Sequence, residues 1–105
     1  MSQVTNVILS VYYEDVELGH VREFSGILKG KGWCKAGKAF GPIEECAGGH
    51  KVFEANAYAI ALNNVSVDEL LEAAKMVRWV AIGSLQFLIK EQDDHLFRSY
   101  DLVTA

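Results

Sequence analysis

The segment KVFEANAYAIAL, residues 51–62, decides how this chain folds, because two kinds of side chain alternate along it. One set of positions carries a phenylalanine and four alanines, while the other includes Tyr58, Ile60 and Leu62. A period of two is typical of a β-strand, whose successive side chains point to opposite faces of a sheet. Alanine is a poor strand former, so we interpret the alanine face as the one on which helices pack closely. A helix from Ala55 to Leu62 is the alternative.

A helix start follows this strand closely. Ser66-Val67-Asp68-Glu69 matches a capping box, in which the serine hydroxyl accepts from the Glu69 amide and the Glu69 side chain reaches back to the Ser66 amide. Val65 and Leu70 occupy the positions of a hydrophobic staple. We predict a helix that fades around residues 78–82, with a buried stripe made of Val67, Leu70, Leu71, Ala74 and Val77.

The N-terminal part of the chain predicts a strand and then a helix. Val4 to Tyr13 alternates; one face carries Val7, Leu9, Val11 and Tyr13, and the other carries Ile8 and Tyr12. Apolar residues at spacings of three and four then predict a helix from Asp15 to Lys29. Asp15 is the expected cap at its start, and Gly30 suits its end.

The remaining segments complete an α+β pattern. Residues 31–49 are rich in glycine and predict a loop, with a short strand near Lys38 to Phe40 as an option. The alternation near the C-terminus predicts a hairpin around a polar turn, with strands at Leu85 to Lys90 and His95 to Val103. Right-handed crossovers through the helices then predict a ferredoxin-like split βαβ sandwich over residues 1–105, with both helices on one face of an antiparallel sheet and an extra C-terminal strand.

The composition excludes several classes of protein. The chain has 105 residues, half of them hydrophobic and 23% charged, and a net charge of −4, so neither disorder nor general nucleic-acid binding is expected. No apolar run approaches the ~20 residues that span a bilayer. No positive residue precedes the first apolar segment, so we expect no signal peptide and a cytoplasmic protein.

A basic loop is the first candidate ligand site. Lys29, Lys31, Lys35 and Lys38 lie within ten residues that contain no acid, and Trp33 is among them. Lysines attract phosphates and an indole can stack on a base, so Lys31, Trp33, Lys35 and Lys38, with His50, are the candidate binders of a small anionic ligand such as a nucleotide. The other interpretation is a solvated loop whose Trp33 packs on the core. The spacing matches no phosphate-binding glycine motif.

The other chemically capable residues give no strong pattern. Cys34, Cys46 and His50 could bind zinc or form a nucleophile pair, but no close ligand pair seeds a metal site. The Gly48-Gly49-His50 segment is typical of a tight turn, and residues 91–95 are typical of a solvated hairpin tip. We therefore predict no metal, no cofactor and no catalytic residue, with both thiols free.

The favoured function is a small non-enzymatic binding module that occupies a protein partner and self-associates as a homodimer. If the alanines face the helices, large apolar side chains point outward, and an exposed apolar sheet face marks an interface. The predicted interface consists of Ile8, Tyr12, Tyr58, Ile60 and Leu62. The alternative is an anionic-ligand binder, with or without turnover, and a small metal-dependent or cysteine enzyme is the third hypothesis.

Overall fold

A computed structural model describes residues 3–35, 40–43 and 56–103 of the chain. Its elements are β1 (Val4–Val11), α1 (Tyr13–Glu17), α2 (His20–Gly30), β2 (Gly41–Pro42), β3 (Asn56–Asn63), α3 (Val67–Ala74), a 3₁₀ turn (Ile82–Ser84), β4 (Gln86–Glu91) and β5 (Arg98–Tyr100). The strands of this part of the chain form a five-stranded antiparallel sheet in the order β2-β3-β1-β4-β5. The domain is therefore α+β. Within the described ranges, no helix is long and apolar enough to cross a membrane.

One face of the sheet, which we call the inner face, carries the hydrophobic core. Val7 and Leu9 of β1 are fully buried there, as the alternation predicts. Leu85, Phe87 and Ile89 are buried too, which confirms the predicted facing of that strand. The helices α2 and α3 bury their apolar stripes in the same core, and the ring of Phe24 meets that of Phe87 edge-on.

The predicted facing of β3 is wrong. β1 pairs with β3 in a register that places Val7 opposite Ile60 and Leu9 opposite Tyr58. Residues directly opposite each other in an antiparallel pair lie on the same face, so Tyr58 and Ile60 face the core, and Leu62 is only 1% exposed. Burying large side chains releases more apolar surface from water than burying alanines. The opposite face, which we call the outer face, therefore carries Ala57, Ala59 and Ala61.

The single predicted helix from Asp15 to Lys29 is divided into α1 and α2. The break occurs at Gly19, whose φ is +79°, a left-handed conformation that glycine adopts without a steric penalty. The Gly19 amide donates to the Val16 carbonyl at 3.1 Å, which closes the last turn of α1. The break brings His20 back towards α1.

The capping box of α3 is confirmed. The Glu69 amide donates to the Ser66 hydroxyl at 3.2 Å, and the Ser66 amide donates to the Glu69 carboxylate at 3.2 Å. The helix ends at Ala74, earlier than predicted. The indole of Trp79 donates to the Ala74 carbonyl at 2.8 Å and so satisfies one of the carbonyls that a helix end leaves free.

The C-terminal hairpin is confirmed, although its second strand is shorter than predicted. β5 contains only three residues and pairs with β4 through Phe87–Tyr100 and its neighbours. A short strand occurs at Gly41–Pro42, just after the segment Lys38 to Phe40 where one was expected. Residues 36–39 and 51–55, which include part of that expected strand and the start of the predicted long strand, lie outside the described residues.

Candidate functional site

The carboxylate of Asp15 is completely buried and joins two distant parts of the chain. Its Oδ1 accepts from the Val80 amide at 2.7 Å, and its Oδ2 accepts from the Ala81 amide at 3.1 Å. The His20 Nδ1 lies 2.6 Å from Oδ1. Asp15 is therefore not the helix cap that the sequence suggests, because α1 begins at Tyr13 with no side-chain cap. It is an anchor that holds residues 80–81 against α1.

The electrostatics of this anchor favour an ionised carboxylate. Burial by itself raises the pKa of Asp15, but the hydrogen bonds from His20, Val80 and Ala81 outweigh it and lower the pKa below its usual value. A carboxylate that orients an imidazole is also found in proton-transfer sites. Within the described ranges, however, the only side chain that hydrogen-bonds His20 is Asp15, so no nucleophile is paired with it. The arrangement is that of a structural anchor.

Four large apolar side chains are exposed beside this anchor. Tyr12, Tyr13, Val80 and Ile82 are 42%, 49%, 52% and 45% exposed. Asp15 fixes the backbone at Val80 and Ala81, and the register places Ser10 opposite Gln86, so both segments lie at the same end of the sheet. We call these four residues the tyrosine end. The two tyrosine rings pack on each other with centroids 4.5 Å apart.

The tyrosine end carries negative charge at its border. The pKa of Tyr13 is raised, first by a hydrogen bond with Tyr12 and then by the negative charges of nearby groups, among them Glu14 and Glu17. Both glutamates are exposed. The end is therefore an apolar, aromatic surface with an acidic rim.

The five predicted interface residues do not share one surface. Tyr12 is exposed at the tyrosine end, Ile8 is half-buried on the outer face, and Leu62 is in the core. Tyr58 and Ile60 are half-buried and pack against the core from the inner face. The proposed common outward face is thus corrected, because the β1–β3 register reverses the facing of β3. Contact of Ile8 or Tyr12 with a partner stays a prediction.

The outer face carries a shallow apolar depression of about 420 Å³. Its lining residues include Ile8, Ala59 and Ala61 from the two central strands, and Phe97 from the segment before β5. Ala59 and Ala61 are exposed, and Phe97 is 43% exposed. Sequence reasoning missed Phe97 here because its position depends on the pairing of β5 with β4.

The structure places only part of the candidate ligand loop. Trp33 is half-buried and packs against the core, and its carbonyl accepts from the Asn63 amide at 2.8 Å. The Lys31 ammonium lies over the indole, 5.5 Å from the ring centroid, at a cation–π distance. Lys35 is exposed, while Lys38 and His50 lie outside the described residues. The structure therefore brings Lys31 and Trp33 together, with Trp33 engaged in packing.

Of the candidate metal and thiol residues, the structure describes only one. Cys34 is buried, and Cys46 and His50 lie outside the described residues. No group of three His, Cys, Asp or Glu side chains suited to a metal occurs in the part of the chain that the structure describes. In the hairpin turn, the Asp94 carboxylate accepts from the Glu91 amide at 3.3 Å, so this acid supports the turn.

Comparisons with known proteins found no relative of this chain. The chain matches no protein-family model, no characterised protein and no solved structure. Any function proposed for the chain therefore rests on its own residues and their geometry.

Proposed function

We propose that this chain is a non-enzymatic interaction module that acts by occupying a protein partner, which it binds through the tyrosine end. The observation that carries the proposal is the exposure of Tyr12 and Tyr13 as a packed pair beside a backbone fixed by Asp15. Tyrosine supplies a large contact area at a small entropic cost, and it is enriched at the energetic centres of protein interfaces. A fixed backbone lowers the cost of ordering on binding.

The charge around the tyrosine end limits the chemistry of the partner. Glu14 and Glu17 border the apolar surface, and the whole chain has a net charge of −4. A complementary partner presents an apolar pocket for the tyrosines with lysine or arginine side chains at its edge. Such charge complementarity speeds association and excludes acidic surfaces.

A photocrosslinking experiment tests this proposal. The photoreactive residue p-benzoylphenylalanine replaces Tyr13 in one variant and Leu96, which is 75% exposed on the β4–β5 connection, in a matched control. We expect a discrete adduct in cells with a protein other than a second copy of this chain from position 13 but not from position 96. The purified partner should then bind the Tyr12→Ala/Tyr13→Ala variant at least about 30-fold more weakly, as expected for hot-spot residues, and the Leu96→Ala variant normally.

Two results contradict the proposal. One is the absence of a specific adduct at position 13. The other is a captured partner that binds Tyr12→Ala/Tyr13→Ala as tightly as the native chain. Both tyrosines are exposed, so these changes are expected to leave the fold intact, and a circular dichroism spectrum checks this.

We further propose that the outer face mediates weak self-association. Five strands spaced about 4.8 Å apart, with central strands of eight residues, present roughly 500 Å² per copy. This estimate falls below the ~800 Å² per partner of a stable interface and predicts a transient dimer. Phe97 borders the 420 Å³ depression, so in a two-fold pair each copy can place this ring in the depression of the other.

Sedimentation equilibrium tests the self-association. We expect a concentration-dependent mass for the native chain and for Met76→Glu, whose site is exposed on another surface, and a monomer for Ala59→Glu. A native chain that stays monomeric at about 100 µM, well above the range of ordinary micromolar complexes, contradicts the self-association.

Binding of a small anionic ligand, such as a nucleotide, through the Lys31–Lys38 loop is the alternative proposal. The exposed Lys31 and Lys35 support it, whereas the packing of Trp33 on the core leaves less of the indole for stacking. A thermal-shift panel of nucleotides tests it, because a ligand that binds only the folded chain raises its melting temperature. The absence of any shift at millimolar nucleotide contradicts it.

We also propose that the fold is a ferredoxin-like split βαβ sandwich. The order β2-β3-β1-β4 with antiparallel neighbours supports this, as do helices in the connections from β1 to β2 and from β3 to β4. A cytoplasmic location is a further proposal, supported by the buried free thiol of Cys34, which suits a reducing compartment.

A further inference from the structure

A small cavity of about 230 Å³ lies between α2 and the edge of the sheet formed by β2 and β3. Its apolar walls include Val16, Val21 and Phe40. Its polar lining comes from Arg22 and Ser25 of α2 and from Tyr58 of β3. None of the lining residues belongs to the tyrosine end or to the basic loop.

The wall of this cavity is fixed by buried contacts. Ser25 is 2% exposed, and its hydroxyl oxygen accepts from the Phe40 amide at 3.2 Å. The Phe40 ring stacks on Phe24 in the core, with centroids 5.4 Å apart. Tyr58 is held on the inner face by its pairing with Leu9. The cavity is therefore built by core packing and by a buried hydrogen bond.

Within the part of the chain that the structure describes, the polar groups of the cavity have hydrogen-bond donors that are not engaged. Among residues 3–35, 40–43 and 56–103, the Arg22 guanidinium has no ion pair and the Tyr58 hydroxyl has no hydrogen bond. The Ser25 hydroxyl acts as an acceptor, so its hydrogen is still available. A guanidinium presents parallel donors that match a carboxylate, and a phenol can add a further hydrogen bond.

We propose that this cavity binds a small organic carboxylate with an apolar body. Arg22, assisted by Tyr58 and Ser25, binds the carboxylate, and Val16, Val21 and Phe40 contact the apolar part. The volume lies below the roughly 300–1,000 Å³ of pockets for drug-sized ligands, so the ligand is about the size of one aromatic ring and a nucleotide is too large. Because Arg22 is the single positive charge among the lining residues, the cavity favours a ligand with one negative charge over a phosphate.

A titration of ¹⁵N-labelled protein with benzoate, followed by amide chemical shifts, tests this site. Benzamide is the matched neutral ligand, since it has the same shape and lacks the charge. A ligand of about nine non-hydrogen atoms is expected to bind with a Kd of roughly 1 mM. We expect benzoate to shift amides of residues 16–25, 40 and 58, and benzamide to bind at least tenfold more weakly.

Two substitutions separate charge recognition from simple filling of the cavity. Arg22→Gln should weaken benzoate binding at least tenfold, and Tyr58→Phe should weaken it severalfold without changing the fold. Arg98→Gln is the matched control, because Arg98 is also exposed but lies on β5 at the opposite edge of the sheet. Its affinity for benzoate should equal that of the native chain.

Three results overturn the proposal. The first is the absence of saturable shifts at the lining residues up to about 20 mM benzoate, well above the expected Kd. The other two are equal binding of benzoate and benzamide, and benzoate binding by Arg22→Gln that is as tight as that of the native chain. The ligand-free spectrum of each variant reports whether it is folded. This site goes beyond the interaction module proposed above, and either proposal can fail while the other stands.

Discussion

Replacement of Asp15 by asparagine measures how far this fold depends on one buried charge. The carboxylate is 0% exposed and receives hydrogen bonds from two backbone amides and from His20. Asparagine has almost the same shape but has no charge, and only one of its two side-chain polar atoms accepts hydrogen bonds. Its amide group therefore turns a donor towards the Ala81 amide or, in the flipped orientation, towards the Val80 amide, and neither backbone amide can accept it.

The structure gives the size of the expected loss. Hydrogen bonds to a charged group contribute about 1.5–3 kcal/mol each, and a buried amide left without an acceptor costs about 1–3 kcal/mol. Asparagine retains one acceptor, for example for the Val80 amide, so we expect the free energy of unfolding to fall by about 3 kcal/mol. That is a large part of the ~5–15 kcal/mol by which domains are stable.

The same substitution should change the pH dependence of stability. The pKa of Asp15 is lower in the folded chain than its usual value, so its ionisation stabilises the fold fully above the unfolded pKa of about 3.9. That contribution is lost as the pH falls through the lower folded pKa, because the unfolded chain then binds the proton more readily. The stability difference between the native chain and Asp15→Asn should therefore shrink progressively below about pH 4.

Urea denaturation followed by tryptophan fluorescence measures both effects, since Trp79 lies beside His20 with ring centroids 6.1 Å apart. Asp93→Asn is the matched control, because Asp93 is exposed in the β4–β5 turn. It should change stability by less than about 0.5 kcal/mol. The reasoning is refuted if Asp15→Asn lowers the free energy of unfolding at pH 7 by no more than Asp93→Asn does. A stability difference that stays constant down to pH 3 refutes the pH argument alone.

Three further substitutions test other local contacts by the same denaturation measurement. Ser66→Ala removes the N-cap of α3 and should cost about 1 kcal/mol; an unchanged midpoint would contradict the role of the capping box. Gly19→Ala places a side chain at φ +79° and should cost about 1–2 kcal/mol, whereas a stabilising effect would show that the α1–α2 break is not required. Thr5→Val removes the buried hydrogen bond from the Thr5 hydroxyl to the Val65 carbonyl, 2.7 Å long, and should cost about 1–2 kcal/mol; no loss would mean that water replaces it.

Part of the candidate surface could be found in the sequence. Tyr12 belongs to the predicted interface and is exposed, whereas the alternation of a first strand that reaches Tyr13 places Tyr13 on the face of Val7 and Leu9. That strand ends at Val11, so both tyrosines lie beyond it. Val80 and Ile82 join them only because Asp15 holds a segment 65 residues away. No local pattern encodes that contact, and the Arg22 cavity likewise depends on residues of three separate segments.

The sequence by itself determines the elements whose causes are local. The capping box at Ser66 and the alternation in β1 and β4 depend on residues a few positions apart, so they can be predicted without the fold. Only the tertiary structure decides which face of β3 is buried. The alternation places Tyr58 and Ile60 on one face and the alanines on the other, but it does not indicate which face is buried. Only the pairing of β3 with β1 directs the larger side chains to the core.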